Sequence, residues 1–271
     1  MRKLAADYAH CEALLKRDDR DRWFANLFLP ARLRPHVNAL YAFSLEIARV
    51  RQLVSEPALG EIRFQWWREV LAGGGEAAHP VAAALLDTMA RFNLPREPFL
   101  GLIDARLFDL YDAPMPSVTV LEAYATATAG SLFRLAATIL GAADDNAAAD
   151  HAGIAYAVTG LLRAMPWHLA AGQIYVPLDL LAAHGLDAAG LRAARDKPAF
   201  LAALADLRAL ARRHLGAFAA AGAGTGAYLP LALCEPYLRE MERSGYDPFA
   251  SRIDLPEWRR LWLLWRAARQ M

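Results

Sequence analysis

From Arg32 to Val54 apolar side chains return every three or four residues. Val37, Leu40, Tyr41, Ile47 and Ala48 share one helical face, which Ser44 and Arg51 complete. The same period recurs in almost every segment of useful length, and the strict alternation of a half-buried strand does not. Only Gln173 to Val176 reads as extended, and four residues do not make a sheet. The chain is therefore expected to be all-α. Its 271 residues, 56% of them hydrophobic, suffice for a large core. Short loops and the lack of a Gly/Ser or Pro linker predict a single domain over 1–271.

Prolines and glycines punctuate the helical pattern. Helices are expected over 3–17, 32–54, 61–71 and 79–92, with Pro57 and Gly60 closing the second and Gly73-Gly74-Gly75 the third. A fifth begins near Pro95 and Pro98 and runs through Leu100, Ile103, Leu107 and Leu110 to end before Pro114. Long helices follow over 118–140, closed by Gly141 and Asp144-Asp145-Asn146, and over 147–168, with Pro166 near the end. The last three are expected over 197–221, 227–243 and 256–269. Asp18, Asp19 and Asp21 read as turn chemistry, with Asp21 placed to cap the next element.

Charge and cysteine usage narrow the function. A net charge of +1 and a pI near 7.9 leave no electrostatic footprint for nucleic acid. Cys11 and Cys234 sit in apolar helical patterns and are expected to be free and buried, as in a reducing compartment. The N-terminal residues have no apolar h-region, and no apolar run reaches the ~18 residues that span a bilayer. The expectation is a cytoplasmic protein that can lie peripherally at an inner membrane.

Chemistry-bearing motifs are sparse. Ser131 lacks the context of a nucleophile elbow. Gly222, Gly224 and Gly226 join two helices and follow no strand, so they read as a connector and not a phosphate loop. His168 stands without HExxH or Cys/His spacing. Asp109 and Asp112, three apart, would share a helix face and form the best remaining carboxylate pair for a metal. The face of the 32–54 helix turns basic near its end, at Arg49 and Arg51, followed by Gln52. In the last helix Trp258, Trp262 and Trp265 alternate with Arg259, Arg260, Arg266 and Arg269. That composition suits a membrane or partner surface, or docking of the helix on the bundle.

Three stretches together resemble the squalene/phytoene synthase family: FLPARLRPHVNALYAF (Phe28 to Phe43), EAYATATAGSLFRLAATILG (Glu122 to Gly141) and GIAYAVTGLLRAMPWHLAAGQIYVPLDLLAAHGL (Gly153 to Leu186). The resemblance implies an isoprenoid-synthase-like helical bundle around a central apolar cavity. It also implies two aspartate-rich motifs whose carboxylates hold Mg²⁺ and, through it, a diphosphate leaving group. At the first of these motifs this chain has Leu45, Ala48, Arg49 and Gln52, and at the second Ala164 and His168. Glu46 is the only carboxylate between Leu40 and Ser55, and there is none between Gly153 and Val176. The Glu46 to Val70 block resembles a divergent branch. That branch includes the mitochondrial complex I assembly factor with this fold and its bacterial relatives, and is read as having lost synthase activity.

The expectation is thus a non-catalytic family member, a complex I assembly factor or a binder of an isoprenoid or lipid, with no cofactor and a membrane-protein assembly partner. Guanidinium groups pair with phosphate directly, without metal. The candidate ligand residues are Tyr41, Arg49, Gln52, Arg63, Arg163 and His168. Arg51 belongs to the same basic set, and capping of helix ends or pairing with Glu46, Glu56 and Glu61 is the other role open to these arginines. The rival is an active prenyltransferase condensing prenyl diphosphates through an atypical Mg²⁺ site. A third reading is a lipid carrier with a basic mouth.

Overall fold

The computed structural model describes residues 2–74, 78–142, 146–189 and 197–270. Among these the regular structure is entirely helical. Helices α1 (Arg2–Asp18), α2 (Arg20–Asn26), α3 (Arg34–Leu53), α4 (Pro57–Leu71) and α5 (Pro80–Phe92) form the first half. Helix α6 (Glu97–Arg106) continues into a 3₁₀ turn, Leu107–Tyr111. Helices α7 (Val118–Ala125) and α8 (Ser131–Ile139) flank a π-helical turn at Thr126–Gly130. Then come α9 (Asn146–Arg163), α10 (Met165–Ala170), α11 (Leu178–Ala183) and α12 (Lys197–Ala221). A 3₁₀ segment, Gly226–Leu233, leads to α13 (Cys234–Glu240), and α14 (Glu257–Ala268) ends the bundle.

Local chemistry explains most boundaries. Pro57 and Pro80 open α4 and α5, where the missing N–H costs nothing. Asn93, at φ +50°, closes α5 in the left-handed conformation that asparagine tolerates. Ser117 caps α7 by accepting from the Val120 N–H at 3.2 Å. Helix α12 lies along α9, α1 along α3 and α5, and α14 against α2 and the 3₁₀ segment. Their apolar faces meet in one buried cluster that includes Leu40, Phe43, Phe64, Phe99, Phe133 and Phe200. No helix among the described residues is long and apolar enough to cross a membrane.

The expected elements differ from the observed ones where tertiary contacts intervene. Pro57 starts a helix instead of ending one, and Gly60 lies inside α4, where a Cβ would stand 2.6 Å from Leu110 Cδ2. The expected 118–140 helix is broken by the π turn, which lies against α9. Gly153 of α9 packs so tightly that a Cβ there would come within 2.3 Å of the Gly130 N and 2.4 Å of its Cα. The expected 147–168 helix restarts at Met165, with Pro166 in the first turn of α10. The cap of α2 is Asp19, which accepts from the Arg22 N–H at 3.3 Å, whereas Asp21 is buried within the helix. Asp109 and Asp112 do not share a face. Asp109 is buried in the 3₁₀ turn, and Asp112 ends that turn at φ +52°. Gly75, Asp144 and Asp145 lie outside the described residues.

Candidate functional site

Two buried carboxylates organise the interior, and α2 supplies the first. Asp21 is 7% exposed. It accepts Arg163 Nη1 of α9 at 2.7 Å, Arg260 Nη1 of α14 at 2.9 Å and the Tyr237 hydroxyl of α13 at 2.8 Å. The Arg163 guanidinium also lies 3.6 Å from the Tyr237 ring centroid. One carboxylate thus ties four helices together, with charge-assisted donors on both oxygens. Burial raises the Tyr237 hydroxyl far above its ordinary range, so it stays protonated and donates.

The next residue, Arg22, points into the interior between the rings of Tyr41, at 4.7 Å, and Tyr156, at 5.0 Å. Its one charged hydrogen-bond partner among the described residues is Asp19, at 3.3 Å. Burial pushes the Tyr41 hydroxyl up to about 12.

The second carboxylate is Asp109. The extended segment 173–177 is held by two backbone bonds to Met115, from the Met115 N–H to Ile174 O and from the Leu178 N–H to Met115 O, both 2.9 Å. That clamp delivers the Tyr175 hydroxyl to Asp109 at 2.8 Å. Tyr124 of α7 donates to the same carboxylate at 3.0 Å, and Arg106 Nη1 at 2.9 Å. Gln173 closes the cage by donating to the Asp109 backbone carbonyl at 3.2 Å. The His168 ring stands 4.6 Å from that of Tyr175. Burial lowers its pKa to about 4, with Arg106 opposing protonation and Asp109 favouring it. His168 is therefore neutral at pH 7, and its Nδ1 is buried without a partner among the described residues.

The sequence-predicted residues do not converge. Tyr41, Arg163 and His168 lie in the interior, Arg163 paired to Asp21. Arg49 pairs with Asp18 at 2.8 Å, and Arg51 makes a two-pronged contact with Asp112 at 3.0 and 2.5 Å. Gln52 and Arg63 are exposed, Arg63 beside Trp66 and His79 at a surface cleft. Trp258, Trp262 and Trp265 are 70%, 49% and 47% exposed, so docking of α14 falls to Arg260 and Leu264, with Leu261, Leu263 and Ala267 packed beside them. Asp21, Arg22, Arg106, Tyr124, Tyr156, Tyr175 and Tyr237 were not legible as a site. The available signal was a charged pair, Asp21-Arg22, set directly before the aromatic pair Trp23-Phe24.

The family model for squalene/phytoene synthases matches residues 15–266. The chain belongs to the squalene/phytoene synthase family. Within that family it is 31% identical over 252 residues to complex I assembly factor 6 of Rattus norvegicus, an alignment covering 89% of this chain and 76% of the relative. A phytoene synthase of Thermus thermophilus is 32% identical over 209 residues, covering 74% and 72% of the two chains. Among solved structures, a dehydrosqualene synthase crystallised with a ligand superposes with a TM-score of 0.83 at 20% identity, over 99% of this chain and 98% of that one. A squalene synthase of Alicyclobacillus acidocaldarius gives 0.76 at 27% identity, over 92% and 98%. The similarity to the assembly factor puts the chain with the divergent branch that its Glu46 to Val70 block resembles.

Proposed function

We propose that this protein is a non-catalytic member of its family that serves in the assembly of respiratory complex I, peripherally at a membrane. The observation that carries the reading is the state of its interior carboxylates. Mg²⁺ takes hard oxygen ligands with free lone pairs. Asp21 is engaged by two arginines and a tyrosine, and Asp109 by one arginine and two tyrosines. The positions that the family resemblance gives to Mg²⁺-binding aspartates hold Ala48, Arg49 and Gln52 on α3, and Ala164 and His168 around α10. Among the described residues no three His, Cys, Asp or Glu side chains gather into a metal-binding group. This donor set does not fit Mg²⁺, and we derive no step through it. The assembly role is supported by the extended similarity to complex I assembly factor 6.

Two measurements test this. Incubated with farnesyl or geranylgeranyl diphosphate and Mg²⁺, the purified protein is expected to release no diphosphate, and Mg²⁺-dependent turnover overturns the non-catalytic reading. Deletion of the gene in its host is expected to lower assembled complex I on native gels, and unchanged complex I overturns the assembly role.

A second reading, retention of an isoprenoid or lipid anion in the interior, is favoured by one observation. The Nε atoms of Arg22, Arg106 and Arg163 are buried without partners among the described residues, as is His168 Nδ1. An anion would satisfy such donors. Calorimetry with farnesyl diphosphate in the absence of Mg²⁺ tests it, and no heat of binding refutes it.

A further inference from the structure

Helix α14 is amphipathic in an unusual sense. Its inner side is held by Arg260, 6% exposed and bound to Asp21, and by Leu264, fully buried. Its outer side carries Trp258, Trp262 and Trp265, followed by Arg269, at intervals of four, three and four residues. That spacing puts all four on one face of the helix or its immediate continuation. The tryptophans are 70%, 49% and 47% exposed. A continuous stripe of such side chains in water costs solvation free energy and marks an interaction surface.

The charge beside the stripe selects the partner. Arg266 lies 5.1 Å from the Trp262 ring and Arg269 5.1 Å from that of Trp265, and neither forms an ion pair with a described residue. Next to them a surface cavity of about 330 Å³ is lined by Arg239, Arg259 and Arg266, together with Trp262. The one carboxylate in its wall, Glu235, is already shared by Arg212 and Arg239. Arg259 shares Glu240 with Arg243. The chain as a whole is nearly neutral, at +1, so this excess of guanidinium is local. Indole rings favour the headgroup level of a bilayer, where an apolar body and a polar N–H are both accommodated, and arginine pairs with lipid phosphate.

We propose that the outer face of α14 binds the surface of an anionic lipid bilayer. The three tryptophans sink to headgroup depth, Arg266 and Arg269 pair with phosphates, and the cavity beside Arg239 and Arg259 receives a headgroup. This deepens, and rests on, the peripheral location in the preceding reading. Its test needs neither complex I nor a prenyl diphosphate, so the two can fail separately.

The full chain is sedimented with vesicles of phosphatidylcholine alone or mixed with phosphatidylglycerol. Binding is expected to the mixed vesicles and to fall as salt rises. Arg266→Ala and Arg269→Ala are each expected to weaken it by about fivefold. Trp262→Ala/Trp265→Ala is expected to weaken binding and to reduce the blue shift of tryptophan fluorescence to the part that Trp258 contributes. These positions are exposed, and an unchanged circular dichroism spectrum verifies the fold of each variant. No vesicle binding overturns the proposal and leaves the stripe to a protein partner. Equal binding to neutral vesicles, variants that bind like the parent, or a lipid-free dimer dispersed by Trp262→Ala also overturns it.

Discussion

Replacing Asp21 by asparagine keeps the shape of the side chain and removes its charge. Arg163 and Arg260 then face a neutral amide, and the Arg260 side chain, 8% exposed, keeps a longer contact to the half-exposed Asp254 at 3.4 Å. Removing one partner of a buried pair costs about 3–5 kcal/mol, because the surviving charge remains desolvated. Two features place this variant at the lower end. The asparagine carbonyl still accepts one or two bonds, and the Arg163 side chain, 28% exposed, gains water. The expected loss is about 3 kcal/mol. At roughly 2–4 °C per kcal/mol for a chain of this size, the melting temperature should fall by about 6–12 °C. The control is Asp104→Asn, whose carboxylate meets Arg68 at 2.6 Å but is 62% exposed. An exposed pair is worth less than about 1 kcal/mol. Urea unfolding of the parent and both variants measures the difference directly. Equal losses for the two variants, or a loss below about 1 kcal/mol for Asp21→Asn, would refute the argument that burial makes this pair matter.

Gly153→Ala drives a methyl group into the backbone of Gly130, and the expected cost is about 3 kcal/mol or more, read as a lower urea midpoint or loss of soluble protein. His168 has a folded pKa of about 4, below the unfolded value of 6.5, so the unfolded chain takes up the proton first. Its contribution to stability is therefore intact above pH 6.5 and is lost as pH falls towards 4, amounting to about 2 kcal/mol at pH 5. His168→Gln should show correspondingly less acid destabilisation between pH 7 and 5, and an identical pH profile would contradict the assignment. Arg51→Met removes a partly exposed contact to Asp112 and should change stability by no more than about 1 kcal/mol, so a larger shift in the unfolding curve would mean that this pair carries load of its own.

The helices were legible because their signal is local. Apolar residues at three and four, bounded by proline or glycine, specify a buried stripe whatever the partner is. The family was legible for a related reason, since the stretches around Tyr41, Glu122 and Tyr175 carry both the packing and the turn chemistry of the fold. The roles of single charged residues were not legible. Asp19 and Asp21 look alike in the sequence, yet one caps a helix and meets Arg22 while the other holds four helices together. What separates them is the arrival of Arg163, Tyr237 and Arg260, distant by 142, 216 and 239 residues. The same holds for the π turn at Thr126–Gly130, which a glycine on another helix packs against, and for the tryptophans of the last helix. Period alone assigns those rings to a face. Whether that face is core or solvent was decided by tertiary structure, because Arg260 finds a buried carboxylate and turns the aromatic side outward. Sequence by itself thus determined where this chain is helical and to which family it belongs. Long-range pairing of charges determined which residues form its interior and which face it offers to a partner.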